Sequence, residues 1–167
     1  HPPAGGSLVM FYPHFHAKGW VFAAAMDAYP DRFVRGIPDI LLDKTAPFAD
    51  RYRKVFAHWL GLIQGRDKVR GTEHDAYVFR VLSEKMLSGA VEPVTQYIEE
   101  GVGLGLFCTE DSRQAAIVIV YGIYGMIFEE QKRLGSNERA PAIFSNALHF
   151  ICQVLGADAA VFHAEAD

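Results

Sequence analysis

The sequence is short of cysteine, of basic charge and of long hydrophobic runs, and each shortage excludes a class of protein. Its cysteines, Cys108 and Cys152, form no CxxC pair, which argues against a zinc or disulfide scaffold and favours small hydrophobic residues in a reducing compartment, the cytoplasm. Sixteen Lys and Arg against 20 Asp and Glu give a net charge of −4, whereas dedicated nucleic-acid-binding domains are often strongly basic. The longest uncharged apolar run, 115–128, is shorter than the roughly 17–25 residues that span a bilayer, so we expect no membrane partner.

Motifs for catalysis and metal binding are also missing. The chain has no GxSxG elbow and no GxxxxGK[ST] phosphate loop. The GVGLG run at 101–105 follows a predicted helix, not the strand that a dinucleotide site requires. No HxxxH or HExxH pair is present, and His14 and His16 fall on different faces of any helix. We therefore predict that the protein is not an enzyme and carries no metal or cofactor.

Helical periodicity dominates the rest of the chain, and strand-like alternation is almost absent. The clearest segment runs from Pro47 to Gly65, where apolar residues recur every three or four positions along one stripe. Further helices are predicted over 17–42, 73–87, 90–100, 110–134 and 140–155. The predicted fold class is all-α.

Helix-terminal signals set the predicted ends. Pro30 and Pro38 are expected to kink or break the first of these helices, and Gly89 to end the second. Thr109 is expected to cap the long helix that follows the glycine turn. The residues after Gly156 are expected to form a loose tail.

Two blocks of sequence resemble the TetR family of regulators. The segment AGGSLVMFYPHFHAKGWVFAAAM, from Ala4 to Met26, is similar to the family's helix-turn-helix ending, A-G-V-S-x-G-T-L-Y-x-H-F-x-S-K-E-x-L-F. The block at 97–116 is similar to the family's I-x-x-G-x-x-x-G-x-F, acidic turn and Ala-Ala. The matching residues are Ala4, Gly5, Ser7, Tyr12, His14, Phe15, Lys18 and Phe22 in the first block, and Ile98, Gly101, Gly105, Phe107, Ala115 and Ala116 in the second.

The resemblance implies a TetR-like helical ligand-binding domain with a truncated helix-turn-helix at its N-terminus. Residues 1–22 are then the remnant of the DNA-binding head, 23–160 the ligand-binding and dimerisation domain, and 161–167 a tail. Most of the first two head helices would be missing from this sequence. The positions expected to contact operator DNA are Ser7, Tyr12, His14 and Lys18.

A ligand site between helices is expected to be mostly apolar, with a few placed polar groups. Aromatic residues make up 13% of the chain, enough to line such a site and fill a core. For each single aromatic candidate, core packing is the alternative, and for Arg80 the alternatives are an anionic ligand or an ion pair with Glu84. The predicted lining residues are Phe56, Trp59, Tyr77, Arg80, Tyr97, Tyr121 and Tyr124.

The run 115–128 is apolar on every face, which is unusual for a surface helix. Gly122 and Gly125 cost helix propensity, about 1 kcal/mol each against Ala, and close approach of another helix would explain them. The alternative is burial in the chain's own core. Since the resemblance implies a homodimer built from the last two long helices, the predicted interface is Ile119, Gly122, Gly125, Met126, Phe144, Leu148 and Ile151.

The expected function is therefore a ligand-responsive, DNA-binding transcriptional repressor. A small, largely apolar or aromatic effector bound between helices would favour a head spacing that no longer matches successive major grooves, and so release operator DNA. The alternative is a helical ligand-binding or dimerisation module that does not bind DNA. Leu8, Val9 and Met10 favour that alternative, because they stand where the family has a variable, often polar residue and then Gly-Thr, and their side chains offer no donor to base edges.

Overall fold

Every regular element in the described part of the chain is a helix. The structure is a computed structural model that describes residues 35–66, 73–136 and 138–163, with the backbone alone for 62–66, 73–80 and 82. The all-α prediction is confirmed. The helices are α1 over 35–41, α2 Phe48–Arg66, α3 Glu73–Gly103, α4 Ser112–Leu134, α5 Ala140–Leu155 and α6 Ala160–His163.

The core lies where the longer helices cross. α4 packs against both α3 and α5, while α2 packs against α5 and the short α6. Ala116 and Val120 of α4 are buried, as is Ile98 of α3, so one side of α4 is inside the fold. Ile37 and Leu41 bring α1 into the same core. One hydrophobic core thus unites all six helices of the described ranges.

Aromatic rings form a continuous chain through this core. It begins where Phe48 and Tyr97 stack, passes the ring of Phe107 after α3, and ends between α2 and α5. Such ring pairs contribute about 0.5–1.5 kcal/mol beyond their buried area. Centroid distances are 4.2 Å for Phe48–Tyr97, 5.5 Å for Phe48–Phe107, 5.7 Å for Phe107–Phe162, 4.4 Å for Tyr52–Phe162, 4.4 Å for Tyr52–Phe56 and 4.9 Å for Phe56–Phe144.

The predicted helix end at Gly89 is wrong, because α3 continues through it to Gly103. Met86, Leu87, Ala90 and Val91 are all buried around this position, so packing offsets the low helix propensity of glycine. Pro93 also lies inside α3. A proline ring normally clashes with the carbonyl four residues earlier, which here belongs to Gly89.

A helix break at Pro38 and the expected cap at Thr109 are also wrong. The described helix α1 passes through position 38, and the amide of Leu42 still donates to the Pro38 carbonyl at 2.9 Å. At α4 the N-cap is Asp111, whose carboxylate accepts from the Gln114 amide at 2.9 Å. A carboxylate also suits the positive end of the helix dipole.

The predicted glycine turn at 101–105 begins later than expected, since Gly101 and Gly103 still belong to α3. Gly105 makes the turn itself, with a left-handed φ of 74°. Gly101 has another role, because a Cβ there would lie 2.2 Å from the buried Phe107 ring. Glycine thus permits the close approach that seats Phe107 in the core.

The expectation of a loose tail after Gly156 is wrong for residues 160–163. These residues form α6, and Phe162 is among the most deeply buried side chains of the described residues. Gly156 caps α5 with a left-handed φ of 55°, and the neighbouring Cys108 amide donates to the Leu155 carbonyl at 2.8 Å. The chain therefore turns back so that Phe162 covers Phe107 and Tyr52.

Candidate functional site: an apolar face on α4 and α5

A shallow apolar groove runs along the outer surface between α4 and α5. Its volume is about 310 Å³. Its lining is apolar except for one glutamine, so it offers little to a charged or strongly polar ligand. The lining residues are Val118, Ile119, Gly122, Ile123, Met126, Ala147, Phe150, Ile151, Gln153 and Val154.

Large hydrophobic side chains stand exposed in this groove and elsewhere along α4. Val118 is 56% exposed, Phe150 is 51% exposed and Tyr121 is 43% exposed. Ile117 and Phe128 of α4 are also partly open to solvent. We call the groove together with these exposed side chains the α4–α5 face. Single exposed hydrophobic residues are ordinary, but a contiguous apolar patch on adjacent helices marks an interaction surface.

Gly122 and Gly125 of α4 have no side chains, so they leave the surface of this helix recessed. A Cβ built at Gly122 or at Gly125 meets no atom within 4 Å. Packing inside the described chain therefore does not require glycine at either position, unlike at Gly101. An interior helical glycine costs about 1 kcal/mol against alanine, and no contact among the described residues accounts for that cost at Gly122 or Gly125.

Charged groups lie at the carboxyl end of α4, where the α4–α5 face ends. Glu129 pairs with Lys132 at 3.4 Å, and Glu130 pairs with Arg133 at 2.6 Å. The hydrogen bond from Arg133 lowers the pKa of Glu130 below its usual range and raises that of Arg133. The Lys132 ammonium also lies 5.3 Å from the Phe128 ring centroid. An apolar centre with an ionic edge is the usual anatomy of a protein interface.

The structure brings four of the predicted dimer residues together and separates others. Ile119, Gly122, Met126 and Ile151 all line the groove, and Gly125 lies on the same helix at intermediate exposure. Phe144 is instead 6% exposed and packs in the chain's own core. Leu148 packs partly against that core and lines a separate shallow depression with His149 and Cys152.

The predicted ligand residues do not gather at one place. Phe56 and Trp59 both pack edge-on against Phe144, with centroids 4.9 and 5.7 Å away. Tyr97 lies in the stack with Phe48, where burial raises the pKa of its hydroxyl and the protonated group donates to the Phe48 carbonyl at 2.7 Å. Its hydroxyl is therefore satisfied within the chain.

Two further tyrosines of the predicted ligand set, Tyr121 and Tyr124, lie on α4. Tyr121 is exposed there, and half-buried Tyr124 stacks on Phe128 at 5.9 Å. The side chains of Tyr77 and Arg80 lie outside the described residues, as do Ser7, Tyr12, His14 and Lys18 and the whole predicted head at 1–22.

Sequence reasoning missed Val118, Phe150 and Val154 in this face. The signal was present in α5, where Ala147, Phe150 and Val154 recur at three and four positions beside the buried stripe that contains Ile151. When a helix has two adjacent apolar stripes, one packs on the chain's own core and the other stays exposed on the surface.

Two absences concern only the described ranges. Within 35–66, 73–136 and 138–163, no group of three or more His, Cys, Asp or Glu side chains is placed to hold a metal ion. Among the same residues, no helix has both the length and the hydrophobicity needed to cross a bilayer.

The described residues thus form an all-α fold in which an apolar surface on the adjacent helices α4 and α5 is left open by every described segment. Comparisons with protein-family models, curated proteins and solved structures find no match to the chain.

Proposed function

We propose that this chain is the ligand-binding and dimerisation part of a TetR-like transcriptional regulator, and that two copies associate through the α4–α5 face. The observation that carries the proposal is the exposure of Val118, Phe150 and Tyr121 around a groove whose floor holds Gly122. Burial of such side chains against a partner is favourable by about 25 cal/mol per Å² of apolar surface.

The size of the face suits a second copy of the chain. At 1.5 Å per residue, the 23 residues of α4 and the 16 residues of α5 give helices about 34 Å and about 24 Å long. Side by side, at about 10 Å width each and with their charged and polar ends counted beyond the apolar face, the two helices project about 600 Å², which matches the lower end of stable interfaces per partner. A two-fold axis lets the same apolar face serve both protomers, and charges of both signs at its edge suit that arrangement.

The regulatory part of the proposal depends on the sequence resemblance. The match at Tyr12, His14 and Lys18 supports contact with DNA phosphates by a complete head. The expectation of an apolar or aromatic effector between helices rests on the same resemblance, since Phe56 and Trp59 pack against the core residue Phe144. Effector binding would shift the population between two head spacings and so release the operator.

Sedimentation equilibrium of the wild-type chain and two matched variants tests the dimer. Val118→Glu places a carboxylate in the α4–α5 face, whereas Leu104→Glu places one at a similarly exposed residue, 59% against 56%, in the α3–α4 connection. We expect a dimer for the wild type and for Leu104→Glu, and a monomer for Val118→Glu, since an unpaired buried charge is costly. A monomeric wild type, or a dimeric Val118→Glu, would refute the interface.

A gel shift at several salt concentrations tests DNA binding, with the full-length protein and a library of operator sequences. Lys18→Ala is expected to weaken binding and reduce the salt slope by about one phosphate contact. If the full-length protein dimerises but binds no DNA, the alternative applies: a ligand-binding or dimerisation module without DNA binding. Leu8, Val9 and Met10 are the residues that favour this second candidate.

A further inference from the structure

One buried guanidinium near the start of α2 joins three parts of the fold. The Arg51 side chain is 4% exposed, and it forms a bidentate pair with Glu100 of α3, Nη1 to Oε2 at 2.9 Å and Nη2 to Oε1 at 2.8 Å. Nη1 also donates to the Leu41 carbonyl at 3.1 Å, and Nε donates to the Ala46 carbonyl at 3.2 Å. The end of α1, the connection 42–47 and the last turns of α3 therefore meet at one side chain.

The surroundings of this pair strengthen it. The guanidinium carbon lies 5.3 Å from the Phe48 ring centroid and 5.9 Å from that of Tyr97. The hydrogen bonds with Arg51 hold the pKa of Glu100 below its ordinary value of 4.5. Both groups therefore stay charged at neutral pH. Loss of either partner would leave the other charge poorly compensated, which is far more costly than the net worth of the pair.

The connection 42–47 has mainly local bonds of its own. The Thr45 amide and hydroxyl donate to the Asp43 carboxylate at 3.0 and 2.5 Å. Lys44 and Thr45 are exposed. Arg51 supplies the hydrogen bonds that tie this short connection to α3, so the polar part of its docking depends on the Arg51–Glu100 pair, while Leu41 and Leu42 supply apolar packing.

We propose that Arg51 and Glu100 form a latch that makes α1 follow the carboxyl-terminal end of α3. With the latch closed, a displacement of Glu100 moves the Leu41 and Ala46 carbonyls with it. With the latch open, α1 and residues 42–47 lose their polar tie to α3 and open more often, against the packing of Ile37 and Leu41 in the core, while the packing among α3, α4 and α5 persists. This inference deepens the proposed function and rests on it for its regulatory meaning, since α1 follows in sequence the segment 4–26 that resembles the helix-turn-helix.

Limited proteolysis with trypsin tests the latch on the chain as it stands. Trypsin cuts after Lys44, and a protease needs several residues around its site to open locally. Glu100→Gln preserves shape and removes the charge, with its exposed neighbour Glu99→Gln as the matched control. Arg51→Met removes the guanidinium, with Arg53→Met as the control, because Arg53 pairs with Asp50 on the exposed side of the same helix.

We expect cleavage after Lys44 to be at least about tenfold faster in Glu100→Gln and Arg51→Met, and to change by less than about twofold in both controls. Cleavage after Arg139, in the α4–α5 connection, should keep its wild-type rate in every variant. Hydrogen exchange gives a second measurement if Arg51→Met does not fold. The Leu42 amide, bonded to Pro38 at 2.9 Å, should exchange faster in Glu100→Gln while the amides of α4 remain protected.

An unchanged rate at Lys44 in Glu100→Gln would overturn the latch. So would an equal acceleration at Lys44 and Arg139, because the pair would then stabilise the whole domain without holding one segment. These measurements need neither DNA nor effector. The latch can therefore be refuted while the proposed regulator function stands. Equally, the latch can be confirmed while tests of DNA or effector binding fail.

Discussion

Replacing Gly122 by alanine should have opposite effects on the monomer and on the dimer. Within one chain a Cβ at this position meets nothing within 4 Å, and the residue lies in the interior of α4. Alanine therefore raises helix propensity without a clash, and the monomer should gain about 0.5–1 kcal/mol in free energy of unfolding. This gain follows from the structure of the chain alone.

The effect on association has the other sign if α4 of a second copy approaches at this glycine. Each added methyl then overpacks the contact, at about 1–3 kcal/mol, and a two-fold dimer carries two of them. The sum of about 2–6 kcal/mol raises the dimer dissociation constant at least about 30-fold. Gly61→Ala is the control, because Gly61 lies in α2, is exposed and also has nothing within 4 Å of a built Cβ.

Two measurements separate the effects. Sedimentation equilibrium gives the dimer dissociation constant. Urea unfolding at protein concentrations below that constant gives the free energy of unfolding of the monomer. Gly61→Ala should match Gly122→Ala in monomer stability and leave association unchanged. If Gly122→Ala associates like the wild type, Gly122 is not where the copies approach. If it destabilises the monomer, the reasoning from helix propensity is itself wrong.

Four further predictions concern the fold and the latch. Phe162→Ala should lose about 3–5 kcal/mol in urea unfolding because Phe162 is 1% exposed, and a loss under 1 kcal/mol would show that α6 is not part of the core. Asp111→Ala should cost about 1 kcal/mol by thermal unfolding and Thr109→Ala clearly less, since only Asp111 caps the Gln114 amide; equal losses would contradict this. Tyr97→Phe should cost about 0.5–1.5 kcal/mol by leaving the Phe48 carbonyl without its donor, and a stability equal to wild type would count against that bond. Because the pKa of Glu100 is lowered in the fold, its contribution is fully present above about pH 4.5 and is lost as the pH falls through the lower folded value; Glu100→Gln should therefore flatten the acid limb of a stability–pH profile, and an unchanged limb would contradict the role of this pair.

Periodicity identified the fold class and most helices because burial and helical spacing are local signals. The stripe from Pro47 to Gly65 predicted α2 almost to the residue, and α5 begins and ends at the predicted positions. The errors fall where tertiary packing overrides local preference. Gly89 and Pro93 are both helix-unfavourable, yet buried neighbours on either side keep α3 continuous.

Contacts between side chains that are distant in sequence could not be predicted from the sequence. Arg51 and Glu100 are 49 positions apart, and nothing local distinguishes Arg51 from Arg53, which pairs with Asp50 within its own helix. Tyr97 belonged to the candidate ligand set because a buried hydroxyl needs a partner. That partner is the backbone carbonyl of Phe48, which composition and spacing cannot indicate.

Glycines on α3 and α4 fall into two kinds, those that packing within the chain accounts for and those that it does not. Gly101 is explained from inside, because any Cβ would strike the Phe107 ring that closes the core. Gly122 and Gly125 have no such cause among the described residues, and they lie on the helix that carries Val118 and Tyr121 into solvent. The glycines lower helix propensity, and the exposed hydrophobic side chains leave apolar surface in contact with water. These are two independent unfavourable contributions on one surface. A second α4–α5 face brought against the first would bury the exposed side chains and use the close approach that glycine permits, whereas a small ligand in a groove of about 310 Å³ would cover only part of the exposed stripe.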